Sequence, residues 1–263
     1  MAALLLHDPP LAAYDGLAPH YDAFTDGYAY ETWLAALERL TVEQGLAGKR
    51  LLDVGCGTGK SFLPMLERGY RVVACDLSPA MVEVARGKVG GRAAEVLVAD
   101  MRELPKLGAF DLITCLDDAV NYLTSPAELR AALAGFARNL RRGGIAVFDA
   151  NTLATFRHGY SQTAALDSGG AFFCVRGEGD PELEPSGSAH VWIEVFSPAD
   201  GDLWKRTRTH HVHRHHSRDE VERAAAAAGL DVVAVRGQSP GVRISREPDE
   251  ELHSKTVYVL RRA

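Results

Sequence analysis

Residues 51–59 read Leu51-Leu52-Asp53-Val54-Gly55-Cys56-Gly57-Thr58-Gly59. An apolar run empties into three alternating glycines, and a helix-suited stretch, Ser61–Arg68, follows. Glycine permits the tight turn and lets a ligand approach the main chain. The free N–H groups of the next helix then face that ligand. The dinucleotide fingerprint G-x-G-x-x-G fails, because position 60 is Lys. The phosphate loop G-x-x-x-x-G-K-[ST] ends like Gly59-Lys60-Ser61, but Val54 stands where its first Gly belongs. The stretch from Asp53 to Gly59 instead reads acid-x-G-x-G-x-G.

Working outward, strand-like and helix-like textures alternate. Short β-rich runs occur at Leu51–Val54, Arg71–Cys75, Ala94–Val98, Leu112–Leu116 and Ile145–Phe148. Helical stretches lie at Ser61–Arg68, Pro79–Val89 and Pro126–Asn139, and an amphipathic one at Tyr30–Val42. Near-continuously apolar strands alternating with helices predict an α/β fold, a parallel sheet covered on both faces. After Asn151 the texture turns antiparallel, with strands expected at Ala171–Arg176, Ala189–Phe196 and Leu203–His216. The alternation resumes with Ser217 as N-cap, a helix to Ala228, Gly229 as its cap, and strands at Leu230–Arg236 and Thr256–Leu260. The expected organisation is an N-terminal arm or lid over 1–32, a core over 33–151 and 217–263, and an antiparallel β insertion over 152–216 that caps the substrate site. The first thirty residues, rich in Tyr, Pro, Gly and Asp, are expected to be a flexible or capping arm.

The 263 residues carry 46% apolar and 24% charged side chains, which suits one large globular domain with an insertion. The formal net charge of −6 argues against a nucleic-acid partner, which calls for a basic excess. Asp8-Pro9-Pro10-Leu11 approaches the D-P-P-Y motif of enzymes that methylate base amino groups, but it lacks the aromatic and precedes the glycine loop. No apolar run approaches the roughly 18–20 residues of a membrane span, and Ala2–Leu6 lacks the charged leader of a signal peptide. The scattered Cys56, Cys75, Cys115 and Cys174 form no C-x-x-C pair and are expected to be reduced, in a cytoplasmic protein.

Acids recur at strand ends: Cys75-Asp76-Leu77-Ser78, Val98-Ala99-Asp100-Met101 and Cys115-Leu116-Asp117-Asp118. An acid after the second strand can accept both hydroxyls of a ribose. With the glycine loop, these residues make the chain resemble the class I S-adenosylmethionine (SAM)-dependent methyltransferases over nearly its whole length. More narrowly it resembles bacterial small-molecule methyltransferases, including the amino-sugar N,N-dimethyltransferases. The supporting residues are Tyr14–Asp22, Tyr30–Trp33, Asp118–Leu123, Leu140–Gly144, His211–His215 and Ala227–Leu230. Arg142 departs from the pattern, standing where a Pro usually precedes Gly143-Gly144.

The resemblance implies a Rossmann-like seven-stranded sheet whose last strand alone is antiparallel. It implies SAM as cofactor, with S-adenosylhomocysteine as product. Asp53, Gly55, Cys56 and Gly57 would line the methionine moiety, and Asp76 would hold the ribose. Leu77 and Met81 would flank the adenine, Asp100 and Met101 would take its edge, and Leu116 and Asp117 would lie near the sulfonium. Tyr21 and Trp33 would close the pocket from the N-terminal side.

Methyl transfer from a sulfonium is an in-line displacement, so orienting the nucleophile is the protein's main task. Tyr14, Tyr21, Asn121, Tyr122 and His211 are expected at the acceptor end, with Tyr14, Tyr21 and His211 as catalytic candidates. His211, with an ordinary pKa near 6.5, would be the base for a protonated amine. His211, His213 and His215 share one face of a strand. No Cys or acid stands near them in sequence, so no metal is expected. The reading favours a small-molecule nitrogen acceptor over an oxygen one. More distant alternatives are a nicotinamide oxidoreductase and a non-catalytic SAM-binding module. A homodimer is compatible with all of these.

Overall fold

A computed structural model describes residues 9–263. The Ala2–Leu6 run and Asp8 of the Asp8–Leu11 stretch lie outside the described residues. In chain order the elements are α1 (Pro9–Leu17), α2 (Tyr21–Phe24), α3 (Tyr30–Glu43), β1 (Arg50–Val54), α4 (Leu63–Glu67), β2 (Arg71–Asp76), α5 (Pro79–Val89), β3 (Ala94–Val98), β4 (Phe110–Cys115), α6 (Pro126–Asn139) and β5 (Leu140–Asn151). The insertion contributes β6 (Thr163–Ser168), β7 (Ala171–Glu178), β8 (Ser188–Pro198) and β9 (Trp204–Arg214). The chain closes with α7 (Arg218–Ala227), β10 (Leu230–Ser239), β11 (Arg243–Ser245) and β12 (Lys255–Arg262).

The main sheet runs β11-β10-β12-β5-β4-β1-β2-β3. It has eight strands rather than seven, because the three-residue β11 adds an antiparallel edge to β10. β12 is antiparallel to both of its neighbours, so β11 and β12 together depart from the parallel direction. Both faces are covered. Leu133 and Phe136 of α6 and Val221 of α7 pack with Phe148 and Tyr258 on one face. Leu37 of α3, Met65 of α4 and Val82 of α5 pack with Leu51, Val72 and Val259 on the other. Helix starts are fixed by side chains: Ser125 and Glu128 form a capping box ahead of Pro126, and Ser78 and Ser217 accept from the backbones of Met81 and Glu220.

The insertion folds as a second, antiparallel sheet, β6-β7-β8-β9. Its first strand escapes sequence reading because Thr163–Asp167 is exposed throughout and has no apolar alternation. On β8, Ala189, Val191, Ile193 and Val195 point inward. The first residues depart from the expectation of a flexible arm. α1 and α2 are helical, and Ala13, Leu17 and Ala18 are buried. Leu17 joins Phe173, Val191 and Ile193 in a core beneath the second sheet, with Tyr21 and Phe24 against it. The arm is thus a helical wedge between the second sheet and α5. Asp22 receives Thr58 Oγ1 at 2.6 Å and pairs with Lys88 at 2.5 Å, and Asp15 receives Ser78 Oγ at 2.5 Å. Among the described residues no helix is long and apolar enough to cross a membrane.

Candidate active site

β1 ends in the glycine loop, and Gly55, Gly57 and Gly59 all take left-handed φ values, +69°, +52° and +94°. A side chain there would be strained, and a Cβ on Gly55 would stand 3.1 Å from Ala119 Cβ. The loop is tied to β2: Gly55 and Cys56 donate backbone N–H bonds to Cys75 O, and Gly57 N–H donates to Asp76 Oδ2 at 2.8 Å. Ser78 N–H takes the other Asp76 oxygen at 2.9 Å. Burial pushes the Asp76 carboxyl up, and these backbone N–H groups hold it back.

A cleft opens over this loop. Its walls include Gly55, Cys56, Gly57, Asp76, Leu77, Asp100, Met101, Leu116 and Asp117, with Tyr14 and Tyr21 from the arm. The structure therefore brings together most of the cofactor candidates. Three stand behind the wall. Asp53 is buried, its two oxygens taken by Ser61 Oγ and Thr114 Oγ1 at 2.5 Å each, and burial raises its pKa to about 6. Its acid anchors the loop rather than facing the cleft. Met81 is buried in the first turn of α5. Trp33 packs beneath Lys255, whose Nζ lies 5.3 Å from the indole ring centre. Asp100 lines the cleft but is gripped by Arg102, with Nε 2.9 and 2.8 Å from its two oxygens.

A second chamber of about 570 Å³ adjoins the cleft, roofed by β8 and β9 and floored by the ends of β4, β5, β10 and β12. Tyr14, Tyr21, Asp117 and Tyr122 line both spaces and mark their junction. Tyr14 meets Tyr122 and His211 edge-on, with ring centres 5.2 and 5.5 Å away. Asn121 does not reach the chamber wall. It is fully buried and pins the insertion, donating to Arg214 O at 2.8 Å and accepting from Asn151 N–H at 2.9 Å.

His211 lines the chamber, but its chemistry differs from the sequence expectation. Burial, reinforced by His213 and His210, lowers its pKa to about 3, so it is neutral near pH 7. Its Nδ1 lies 2.8 Å from Tyr122 Oη and its Nε2 2.9 Å from Thr209 Oγ1. A buried imidazole with both nitrogens engaged is a poor proton acceptor and a good brace for Tyr122. His213 is neutral too, since burial and then Lys255 lower it to about 3, but only its Nδ1 is engaged, by Tyr160 Oη at 2.5 Å, while its buried Nε2 has no partner. β9 ends at Arg214, so His215 leaves the shared face and pairs with Glu250, Nε2 to Oε2 3.1 Å.

The strongest electrostatic feature carries no sequence motif. Lys255, opening β12, places Nζ 2.9 Å from Asp117, 2.8 Å from Asp118 and 2.9 Å from Asp149. Asp149 also accepts the backbone N–H groups of Asp117 and Asp118 at 2.7 and 2.9 Å. That grip holds two successive non-glycine residues in left-handed conformation, φ +60° and +52°. Burial alone would raise Asp117, but Lys255 and the Tyr30 and Tyr21 hydroxyls keep it low. Burial raises Asp118, and the charge of Asp117 adds to this against Lys255. Burial likewise raises Asp149, to about 6. Three carboxylates around one ammonium leave excess negative charge where cleft and chamber meet.

Sequence reading missed Asp118, Tyr160, His213, Gln238 and Lys255 as chamber-lining groups. Asp118 had a signal as the second acid of the strand-end pair, and His213 had one as the residue two along from His211 on the same strand face; Tyr160, Gln238 and Lys255 had none.

Three comparisons agree with this geometry. Residues 51–144 match a family model described as a methyltransferase domain. A dTDP-3-amino-3,6-dideoxy-α-D-glucopyranose N,N-dimethyltransferase of Streptomyces fradiae is 30% identical over 240 residues, 88% of this chain and 91% of that protein. A Geobacillus sp. (strain WCH70) protein named as a methyltransferase is 30% identical over 148 residues, so this chain spans only 60% of its length. A solved SAM-dependent methyltransferase from Clostridium acetobutylicum superposes with a TM-score of 0.78 at 23% identity, covering 95% of this chain and 99% of that one, and so shares the fold.

Proposed function

The chain belongs to the class I SAM-dependent methyltransferases of the small-molecule type, and from that premise we propose that it methylates a nitrogen atom of a small acceptor carried by the second chamber. The cofactor is SAM, which supplies a methyl group already activated for displacement. The residues present fit it: a side-chain-free glycine cradle, the Asp76 carboxylate beside it, and an apolar wall of Leu77, Met101 and Leu116.

The observation that supports nitrogen is the acidic excess at the junction. An amine reaches the site as an ammonium ion, and a methylated amine leaves as one. Both are stabilised by Asp117 and Asp118, and neither is repelled by the neutral His211 and His213. A phenol or alcohol must develop negative charge instead, which the same carboxylates oppose. Asp118, whose pKa burial raises, is the carboxylate placed to accept the proton that an ammonium loses before attack. The nitrogen lone pair then forms the new N–C bond as the methyl–sulfur bond breaks. Tyr14, Tyr21 and Tyr122 wall the junction and keep water from it. In this reading the second sheet is the substrate cap, α1 and α2 are the lid, and the four free thiols suit a cytoplasmic setting.

The test is incubation with SAM and an acceptor panel that includes the amino sugar nucleotide named for the Streptomyces fradiae relative, with the product's methyl position read by NMR. An N-methyl product is expected. O-methylation of the panel's alcohols or phenols, with amines untouched, would overturn the nitrogen reading.

A further inference from the structure

Thr209 lies on the inward face of β9 and is buried behind the chamber wall. Its hydroxyl is 2.9 Å from His211 Nε2 and has Ile193 O of β8 at 3.4 Å. Its methyl group faces α1, where a Cβ on Gly16 would stand 3.0 Å from Thr209 Cγ2. His211 Nδ1 in turn meets Tyr122 Oη at 2.8 Å, and Tyr122 lines both the cleft and the chamber. Thr209, His211 and Tyr122 thus form one chain of hydrogen bonds from a strand carbonyl to the junction. His211 is neutral, so its ring carries a single N–H, and the hydrogen bond at one ring nitrogen decides the role of the other. With the proton on Nδ1, His211 donates to the phenolic oxygen, and the Tyr122 proton is left to face the junction. With the proton on Nε2, His211 donates to Thr209, Thr209 donates to Ile193 O, and Nδ1 accepts from Tyr122. The second direction suits the chemistry. The imidazole nitrogen is a stronger base than a phenolic oxygen, and the phenol is a stronger acid than a neutral imidazole N–H.

We propose that Thr209 is a positioning residue for methyl transfer: it accepts the His211 Nε2 proton, fixes that tautomer, and so commits the Tyr122 hydroxyl proton to His211. The inference rests on the nitrogen reading above. With its proton spent, Tyr122 turns only oxygen lone pairs toward the acceptor, and these receive an N–H of the amine. It cannot donate to the nitrogen lone pair, the electron pair that must reach the methyl group. In the opposite direction the Tyr122 O–H would compete for that pair and hold the amine in an unreactive pose.

The experiment uses the full-length protein with nitrogen-labelled histidines, saturated with S-adenosylhomocysteine at pH 7. Long-range proton–nitrogen correlation spectra show which nitrogen of each ring carries the proton, and His211 is the ring whose signals vanish in His211→Gln. The Nε2–H tautomer is expected. Thr209→Val, which keeps the methyl group against Gly16 and removes only the hydroxyl, should turn His211 to Nδ1–H. Thr209→Ser, which keeps the hydroxyl, should leave the tautomer unchanged. In calorimetric titration of the same complex with cyclohexylamine, Thr209→Val should bind about tenfold more weakly than the unaltered protein, and Thr209→Ser within about twofold of it. A role in packing alone would not move the tautomer. If His211 carries its proton on Nδ1 in the unaltered protein, or if Thr209→Val keeps the tautomer or binds the amine as tightly, this inference falls while the nitrogen reading stands. If the unaltered protein binds cyclohexanol as well as cyclohexylamine, both fall.

Discussion

Asp76 accepts N–H bonds from Gly57 and Ser78 through separate oxygens and still lines the cleft over the glycine loop. Each carboxylate oxygen has a second lone pair, so both can also receive ribose hydroxyls. Hydrogen bonds to a charged group contribute roughly 1.5–3 kcal/mol each. Asp76→Ala should therefore weaken SAM binding at least about tenfold if one of the two bonds forms, and at least about a hundredfold if both do. Calorimetric titration of the folded variant checks this, and an unchanged dissociation constant would take Asp76 out of the site. The place of Asp76 in the cleft was legible because an acid directly after the second strand stands beside the glycine loop. His211 was legible as a position but not as chemistry. Its place on an inward strand face follows from alternation, yet its depressed pKa depends on burial under Tyr14 and Tyr122, which come from distant segments. Lys255 was illegible altogether, since a single lysine opening a strand signals nothing until Asp117, Asp118 and Asp149 surround it.

Strands and helices with periodic apolar faces were read nearly to the residue: α5, α6 and β3 match their expected spans. The elements that differ lack such periodicity. β11 is three residues of Arg-Ile-Ser, and β5 begins five residues before Ile145 because Gly143-Gly144 sits within the strand, where its pairing with β4 shifts register. The helices α1 and α2 went unread for another reason. Their segment is polar, but its few apolar residues meet a core supplied by β7 and β8, more than 140 residues away. This sets what truncation should do. Removing the first 25 residues deletes Leu17, Ala13 and Ala18 from buried contacts and frees Asp22's partners Thr58 and Lys88. Burial of side chains of this size contributes on the order of 1.5–3 kcal/mol for a leucine alone. The truncated chain should melt at least about 4 °C lower and turn over little, because Tyr14 and Tyr21 leave the junction. A truncated form with unchanged melting and full turnover would show that the arm neither packs nor closes the site.

At the scale of the whole molecule, the site's burial sets how the fold responds to acid. In the unfolded chain imidazoles protonate near 6.5. In the folded chain burial delays this to about 3 for His211 and His213 and to about 4 for His216. Between those values the unfolded state binds more protons, so these histidines make stability fall as pH drops below 6.5. Asp53 and Asp149 act in the opposite sense. Their folded pKa of about 6 lies above the unfolded 3.8, so the stability they favour is present at low pH and lost as pH rises through 6. Burial raises Asp76 and Asp118 in the same sense as these two carboxyls, while the lowered His20 and His210 act with the three buried imidazoles. The imidazoles carry the larger share of the pH range between about 4 and 6.5. The melting temperature should therefore rise from pH 4 to 7 and then level off. His213→Gln removes one of the three imidazoles from both states. It also disturbs the contact with Tyr160, so its absolute stability is uninformative, but its slope is not. The variant's melting temperature should rise less steeply with pH between 4 and 6 than that of the unaltered protein. A slope equal to that of the unaltered protein would mean that His213 takes up its proton in the folded state, and that the chamber is wetter than its geometry implies.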